Sequence, residues 1–258
     1  MLPELLDRCV DLVGEDPFPR SGEDTRFAQP SIFLASLARW ESLAHGGRDL
    51  GIVAFAGHSL GEISALAAAG VLTYEDALHI VVERGRLMSE AKAGGMIVVR
   101  ADIEDAQQLA ADTGTVVAND NGPGQVVLSG SERAIETVRP TAADRGIKAR
   151  RLDVAGAFHS PLMRRAAREL RGTLADVTVH APSAPVLCNA TARPFHDVRA
   201  QLPLAVTSPV RWREVLDILD VRGARQFMDV GPGDVLSGLV RRTLPHAQVV
   251  EVGDAVVA

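Results

Sequence analysis

Residues 51–62 read GIVAFAGHSLGE, a short apolar segment that runs into the pattern Gly-x-Ser-x-Gly and is followed by an alanine-rich stretch. This order predicts a β-strand over 51–57, a sharp turn that carries Ser59, and a helix over roughly 60–70. Such a unit is a nucleophile elbow, in which glycines at 57 and 61 leave room for a strained backbone and a closely packed helix. Free N–H groups at the helix start lie where an oxyanion would form. The stretch therefore predicts a nucleophilic serine rather than an incidental serine in a turn.

The composition limits the classes of protein to consider. The chain has 258 residues, a formal net charge of −6 and 47% hydrophobic residues. It contains no apolar run near the roughly 18 residues of a membrane span and no signal-peptide pattern, so we expect a cytoplasmic protein that crosses no membrane. The acidic balance and the scattered arginines argue against a nucleic-acid partner. We expect Cys9 and Cys188 to be free thiols, and the spacing of the seven histidines predicts no metal site.

Alternating helix and strand patterns predict an α/β protein made of two units. Residues 1–93 and 154–258 form the predicted body, whose alternating elements build a largely parallel sheet covered on both faces. Residues 94–153 follow the order strand-helix-strand-strand-helix-strand, which is typical of a ferredoxin-like subdomain. We therefore expect this small subdomain to be inserted into the body. The patterns predict helices at 28–45, 60–70, 74–93, 103–112, 131–145, 161–174, 212–219 and from Gly233 to about 244, and strands at 51–57, 96–100, 115–119, 125–129, 147–152, 186–190, 226–230 and 248–252.

A serine hydroxyl needs a base to take its proton, so a histidine must accompany Ser59. His159 lies in the small-residue loop AGAFHSPLM at 155–163, where the inserted unit rejoins the body, and such a loop suits a catalytic base. A solvated loop histidine is the alternative that the pattern leaves open. His58 adjoins the serine, but neighbouring side chains on a sharp turn point apart, so we expect it to form a wall of the site. The other histidines are expected to be structural: His45, His79, His180, His196 and His246.

Two further segments have a functional and a structural interpretation. Arg84 lies within a predicted helix, where pattern alone favours a solvent-facing side chain; a functional role would need an anionic substrate bound by the guanidinium. The segment GPGDVLSG at 231–238 joins a strand to a helix, as dinucleotide-binding loops do. Leu236 stands where the third glycine of that fingerprint belongs, so we expect a closely packed turn there.

Five ordered motifs resemble those of malonyl-CoA:acyl-carrier-protein transacylases and of the acyltransferase domains of polyketide synthases. The similarity runs from about residue 25 to the C-terminus, and the resemblance implies a hydrolase-like body with a ferredoxin-like insertion. The motifs are GHSLGE at 57–62, Arg84 twenty-five positions after the serine, GAFHS at 156–160, NDNGPGQVV at 119–127 and VGPGDVL at 230–236.

The resemblance implies a Ser-His pair that works by a ping-pong mechanism. Ser59 is acylated by malonyl-CoA, with His159 as general base and then as general acid toward the leaving CoA thiolate. The phosphopantetheine thiol of a holo acyl carrier protein then attacks the acyl-enzyme. The thioester and the phosphopantetheine belong to the substrate and the partner, so no resident cofactor is implied.

The resemblance also implies how the acyl group is bound. Arg84 holds the malonyl carboxylate, the N–H of Leu60 belongs to the oxyanion hole, and His58 and Phe158 line the substrate site. Leu60 and Phe158 are the residues associated with malonyl rather than methylmalonyl selectivity. One methyl group is worth only about 1–3 kcal/mol, so we expect this preference to be weaker than the requirement for a carboxylate.

The chain departs from the family pattern at two places. The family begins with a strand ending in Gly-Gln-Gly-x-Gln that completes the oxyanion hole, whereas this sequence opens at MLPELL, residues 1–6. We expect a missing donor, typically worth about 10²–10³ in rate, and an exposed sheet edge. Ala205 stands where many members have a glutamine ahead of the segment 208–212. A main-chain carbonyl orients the histidine there, so alanine is expected to serve equally well.

Malonyl transfer in fatty-acid or polyketide synthesis is the leading hypothesis. The alternatives are an acyl thioesterase or esterase with the same Ser-His pair, and a catalytically impaired carrier-binding subunit. The sequence leaves open the pathway, the cognate carrier protein, the oligomeric state, the group that completes the oxyanion hole and whether Met1 is the natural start.

Overall fold

The computed structural model describes residues 2–45, 50–91, 94–154 and 156–251, and within them the chain is an α/β protein, as predicted. Two short 3₁₀ helices cover Phe18–Arg20 and Pro161–Met163. The α-helices are α1 (Leu2–Val13), α2 (Thr25–Ala44), α3 (Gly61–Ala68), α4 (Tyr74–Glu90), α5 (Ile103–Thr113), α6 (Glu132–Asp144), α7 (Arg164–Thr173), α8 (Val198–Thr207), α9 (Trp212–Val221) and α10 (Val235–Thr243). The strands are β1 (Gly95–Arg100), β2 (Val116–Gly122), β3 (Gln125–Gly130), β4 (Lys148–Arg151), β5 (Leu187–Cys188), β6 (Arg193–Pro194), β7 (Gln226–Asp229) and β8 (Gln248–Glu251).

Strands β1 to β4 form an antiparallel sheet in the order β2-β3-β1-β4. Side chains alternate between its two faces, so neighbouring residues on β1 belong to different hydrophobic clusters, one on each face of the sheet. Ile97 packs with Leu109 of α5 and Val138 of α6, whereas Met96 packs on the opposite side against Phe158. One face of this sheet is thus covered by its own helices, and the other borders the segment that carries His159.

The segment 51–57 forms much less of a strand than the sequence predicts. Among the described residues, the β-bridge of this segment is at Phe55, which pairs in parallel with Val186 and whose N–H donates to the Pro185 carbonyl at 2.8 Å. Val53 is 51% exposed. The segment also borders a cavity of about 910 Å³, which residues 225–231 of the β7 region line as well. A continuous strand needs a hydrogen-bonded ladder over several residues, and one bridge does not supply it.

The largely parallel sheet predicted for the body is therefore present only in short pieces among the described residues. Strands β7 and β8 pair in parallel, and β5 and β6 pair antiparallel over two residues. Isolated parallel bridges join Phe55 to Val186, and Asn119 of β2 to Val210 of the body. The strand predicted over 186–190 shrinks to Leu187–Cys188, and the ends of two predicted elements, at 92–93 and 252, lie outside the described residues.

Helices dominate the core of the body. Helix α3 is buried along most of its length, and the large side chains around it include Phe33 of α2 and Ile80 of α4. Side-chain caps fix the starts of these two helices: Asp24 accepts from the Arg26 N–H of α2, and Thr73 accepts from the Asp76 N–H of α4. Helices α1 and α8 were not predicted from the sequence. The packing holds α3, and with it the turn at Ser59, against two capped helices.

Cys9 and Cys188 are buried free thiols. Among the helices that the structure describes, none is long and apolar enough to span a bilayer. The cytoplasmic location stays a prediction.

Candidate active site

The turn at Ser59 has the strained backbone that its sequence predicts. Ser59 has φ of 54°, in the left-handed region that non-glycine residues rarely occupy. A Cβ at Gly57 would lie 1.9 Å from the carbonyl oxygen of Gly61, so only glycine fits there. A Cβ at Gly61 would meet nothing within 4 Å. The sequence-based expectation that both glycines are needed for packing is correct for Gly57 and wrong for Gly61, because Gly57 is the residue pressed against the helix backbone.

His159 meets Ser59 in the structure, 100 residues further along the chain. Its Nε2 lies 2.8 Å from the Ser59 Oγ, and its Nδ1 lies 2.9 Å from the Ala205 carbonyl and 3.2 Å from the Ser208 carbonyl. Carbonyl oxygens only accept, so the proton is assigned to Nδ1 and Nε2 is left to accept from the serine hydroxyl. This is the tautomer that a general base requires.

Burial keeps His159 neutral. The side chain is only 4% exposed, so the solvated loop histidine that the pattern left open is excluded. Burial is the main cause that lowers its pKa to about 3, and the positive charge of Arg84 adds to the effect. The carbonyls of Ala205 and Ser208 act in the opposite direction. At neutral pH the imidazole is thus available to accept a proton.

Arg84 points into the site rather than to solvent, contrary to what the helical pattern alone favours. It is 5% exposed, and its Nη2 donates to the Ser59 Oγ at 2.9 Å while Nη1 donates to the Gln29 Oε1 at 2.5 Å. Burial lowers its pKa to about 10, and the charge of Glu62 opposes that shift. The guanidinium therefore stays protonated at neutral pH and places a fixed positive charge beside the hydroxyl.

Gln29 is a site residue that the sequence pattern did not predict. It is buried on α2, and its Nε2 donates to the Thr25 Oγ1 at 2.7 Å, which leaves its oxygen to face Arg84. The available signal was a polar side chain within the apolar part of a helix. Nothing in the local pattern indicated that this position faces a guanidinium 55 residues later.

Leu60 and Phe158 flank the Ser-His pair. Leu60 is the cap residue of α3. The next two N–H groups bond back to the carbonyls of His58 and Ser59, whereas within the described part of the chain no backbone hydrogen bond is found for the Leu60 N–H. Phe158 packs between the main core and the four-stranded sheet. Both residues line the 910 Å³ cavity, together with Ser59, His159, Arg84 and His58.

His58 forms a wall of the site and has no hydrogen bond to Ser59 in the described structure. Its Nε2 lies 2.8 Å from the Asn121 Oδ1, and its ring meets Trp212 edge-on with centroids 5.6 Å apart. Burial lowers its pKa, and the bond to Asn121 opposes that shift. Asn121 also lines the cavity, a role that its motif in the sequence did not predict. The four-stranded sheet thus contributes a polar edge to the site.

A strained serine, a buried neutral histidine and a buried arginine thus lie together around one cavity. The chain belongs to the acyl transferase domain family, which it matches over residues 10–256. The predicted resemblance is thereby confirmed at the level of the family.

Relatives in this family include malonyl transacylases and a polyketide biosynthesis protein. The chain is 36% identical over 240 residues to the malonyl CoA-acyl carrier protein transacylase of Bacillus subtilis, covering 88% of this chain and 75% of that protein. It is 39% identical over 240 residues to the polyketide biosynthesis protein ThaF of Burkholderia thailandensis, where the match covers 90% of this chain but only 20% of that protein. A solved complex of a type II polyketide acyl-carrier protein with its malonyl-transacylase matches with a TM-score of 0.92 and 30% identity, over 98% of this chain and 88% of that chain.

Proposed function

We propose that this chain transfers malonyl from malonyl-CoA to the phosphopantetheine thiol of a holo acyl carrier protein, in fatty-acid or polyketide synthesis. The observation that carries the proposal is the buried Arg84 guanidinium, whose Nη2 is 2.9 Å from the Ser59 hydroxyl. A cation at that place selects an acyl group that carries a carboxylate on its far end. The names of the transacylase relatives agree with this substrate.

Ser59 and His159 carry the proposed chemistry. The Ser59 Oγ attacks the thioester carbonyl while its proton moves to the His159 Nε2, and the carbon-sulfur bond breaks as the tetrahedral intermediate collapses. The proton passes from Nε2 to the CoA thiolate. The carrier's thiol then gives its proton to the same nitrogen as its sulfur attacks the acyl-enzyme carbonyl. The bond from that carbonyl to the Ser59 Oγ breaks, and Nε2 returns the proton to Oγ, so the free serine is regenerated.

The Leu60 N–H is the proposed oxyanion donor. It lies at the start of α3, where the helix dipole is positive, next to the nucleophile. The Ser59 N–H is unsuited to this role, because it already donates to the Asn189 Oδ1 at 2.7 Å.

Arg84 is the proposed specificity determinant. A neutral acetyl group would leave the buried guanidinium without a carboxylate partner, and breaking a buried charge pair costs about 3–5 kcal/mol. Leu60 and Phe158 restrict the space beside the acyl group, where an added methyl is worth about 1–3 kcal/mol. The requirement for a carboxylate is therefore expected to dominate the choice of acyl group.

We also propose that residues 94–153 are a ferredoxin-like unit inserted into a hydrolase-like body of residues 1–93 and 154–258. The strand order β2-β3-β1-β4 with helices α5 and α6 supports the unit. In this arrangement the unit supplies Asn121 and the sheet face against Phe158 to a cavity whose nucleophile belongs to the body.

Intact-mass spectrometry after exposure to malonyl-CoA tests the proposal. We expect the wild type to gain one malonyl group, Ser59→Ala to gain none, and Arg84→Ala to lose malonyl over acetyl preference by roughly 10²–10⁴-fold. Adding holo acyl carrier protein should move the label to the carrier faster than water removes it. Loss of the label to water at an equal rate would indicate a thioesterase, and an unlabelled wild type would indicate an inactive carrier-binding subunit; either result overturns the proposal.

A further inference from the structure

The side chain of Asn189 spans the turn that carries the nucleophile. Asn189 follows β5 and is 1% exposed. Its Oδ1 accepts from the Ser59 N–H at 2.7 Å, and its Nδ2 donates to the Gly57 carbonyl at 2.9 Å. One amide therefore satisfies a backbone donor and a backbone acceptor on either side of His58, where the sharp turn removes the regular partners of a strand or helix.

Asn189 is itself held by the helix that follows the nucleophile. Its backbone N–H donates to the Glu62 Oε1 at 2.6 Å, and its backbone carbonyl accepts from the Arg211 N–H at 3.1 Å. Glu62 lies three residues after Ser59 in the first turn of α3 and is 1% exposed. The contacts thus form a closed ring from Ser59 through α3 and Glu62 to Asn189 and back to Ser59.

The ring acts on a residue that is conformationally strained. A serine with φ of 54° keeps that conformation only where its surroundings fix it. The proposed chemistry uses neither Asn189 nor Glu62. Burial raises the pKa of Glu62 to about 7, while its bond from the Asn189 N–H and the charge of Arg84 act in the opposite direction. The hydrogen bond from the Asn189 N–H gives the buried Glu62 carboxyl group a structural role.

We propose that Asn189, held by Glu62, is a positioning residue that keeps Ser59 in its strained conformation and so directs the hydroxyl toward His159. It touches neither the acyl group nor the carrier. The inference rests on the proposed function only in taking Ser59 as the nucleophile. A misplacement of about 1 Å at a reacting group can reduce a rate about 100-fold.

The test is the rate at which a small fluorophosphonate labels Ser59, followed by intact mass. This probe needs an activated serine but neither a carboxylate nor a carrier protein. We expect Asn189→Ala to label at least about tenfold more slowly. Asn189→Asp keeps an acceptor for the Ser59 N–H but loses the donor to Gly57, so it should also be slower than the wild type. For malonyl-CoA, Asn189→Asp should lower kcat with little change in KM, because Arg84 is untouched.

A conservative pair tests the second link of the ring. Glu62→Gln keeps an oxygen for the Asn189 N–H and should label within about threefold of the wild type, whereas Glu62→Ala should be slowed like Asn189→Asp. Val138→Ala, in the buried cluster of the four-stranded unit, is the matched control for general destabilisation and should label at the wild-type rate.

The inference would be overturned if Asn189→Asp were labelled at the wild-type rate, or if Val138→Ala were slowed as much as Asn189→Asp. If Asn189→Ala does not fold, Asn189→Asp and the Glu62 pair decide the question. Because the probe is independent of malonyl, slowed phosphonylation in a chain that transfers no malonyl would support this inference and refute only the proposed function.

Discussion

Replacing Gly57 by alanine tests whether the geometry of the turn sets the reactivity of Ser59. A Cβ at Gly57 would lie 1.9 Å from the Gly61 oxygen and 2.0 Å from its carbonyl carbon, and real Cβ contacts essentially never fall below 3.0 Å. The turn must therefore open by about 1.1 Å, the difference between the 3.0 Å limit and the 1.9 Å distance to the Gly61 oxygen. If the whole shift reaches Ser59, the 2.8 Å distance between the Ser59 Oγ and the His159 Nε2 becomes about 3.9 Å, which is too long for a hydrogen bond.

The expected loss follows from that displacement. A misplacement of about 1 Å at a reacting group costs about 100-fold in rate, and overpacking costs about 1–3 kcal/mol of stability. Gly61→Ala is the matched control, since its Cβ meets nothing within 4 Å and alanine is a better helix former by about 0.5–1 kcal/mol. The assay compares the rate of Ser59 acylation by malonyl-CoA and the melting temperature of both variants. Acylation by Gly57→Ala within a few-fold of the wild type, or an equal loss in Gly61→Ala, would refute the reasoning.

Three further outcomes follow from the contacts of the site. Because the pKa of His159 falls to about 3 from an ordinary value of 6.5, its neutral form stabilises the fold fully above pH 6.5, and this stability is lost as the pH falls toward 3. In that window the free energy of unfolding of the wild type, measured in urea, should fall by up to about 1.4 kcal/mol per pH unit relative to that of His159→Gln. Gln29→Leu should raise the KM for malonyl-CoA roughly ten- to hundredfold, measured by steady-state kinetics, because it removes the acceptor that fixes Arg84. Asp120→Asn should lower the urea-derived free energy of unfolding by about 1 kcal/mol, because it weakens a 2.8 Å ion pair whose Arg213 side chain is partly exposed.

Each of these outcomes has a result that would contradict it. Equal pH dependence in the wild type and His159→Gln would show that the histidine is not buried in neutral form. An unchanged KM in Gln29→Leu would show that Arg84 holds its position without the amide. A loss in Asp120→Asn that persists unchanged at high salt would show that the contribution is not electrostatic.

Local sterics made the turn at Ser59 predictable from the sequence. The Gly-x-Ser-x-Gly spacing determines both the left-handed serine and the close approach of Gly57 to the helix, since these contacts involve residues within a few positions of each other. The strand before the turn was less predictable. An apolar run such as 51–57 has strand propensity, but a ladder forms only where a neighbouring backbone lies alongside. In the part of the chain that the structure describes, the β-bridge of this run is at Phe55.

The other site residues depend on contacts between distant helices. Arg84 has a helical pattern compatible with solvent, and it is buried because α2 presents Gln29 to it. His159 is fixed by carbonyls at Ala205 and Ser208, at the end of a helix that the pattern did not reveal. Asn189 lies in a loop with no local signal at all. Tertiary packing decided these positions. The pattern offered His159 and Arg84 as candidates beside a structural alternative, and the resemblance to a family favoured a functional role for both.

The positive φ angles of Ser59 and His159, 54° and 56°, imply a conflict between stability and activity in this chain. Residues in this region cost about 1–3 kcal/mol each where the conformation is imposed, and glycine would relieve the strain at either position. The two substitutions that would remove the proposed nucleophile and the proposed base are thus among those that would relax the backbone. A change to glycine at either position would therefore stabilise the fold and abolish the proposed reaction at the same time.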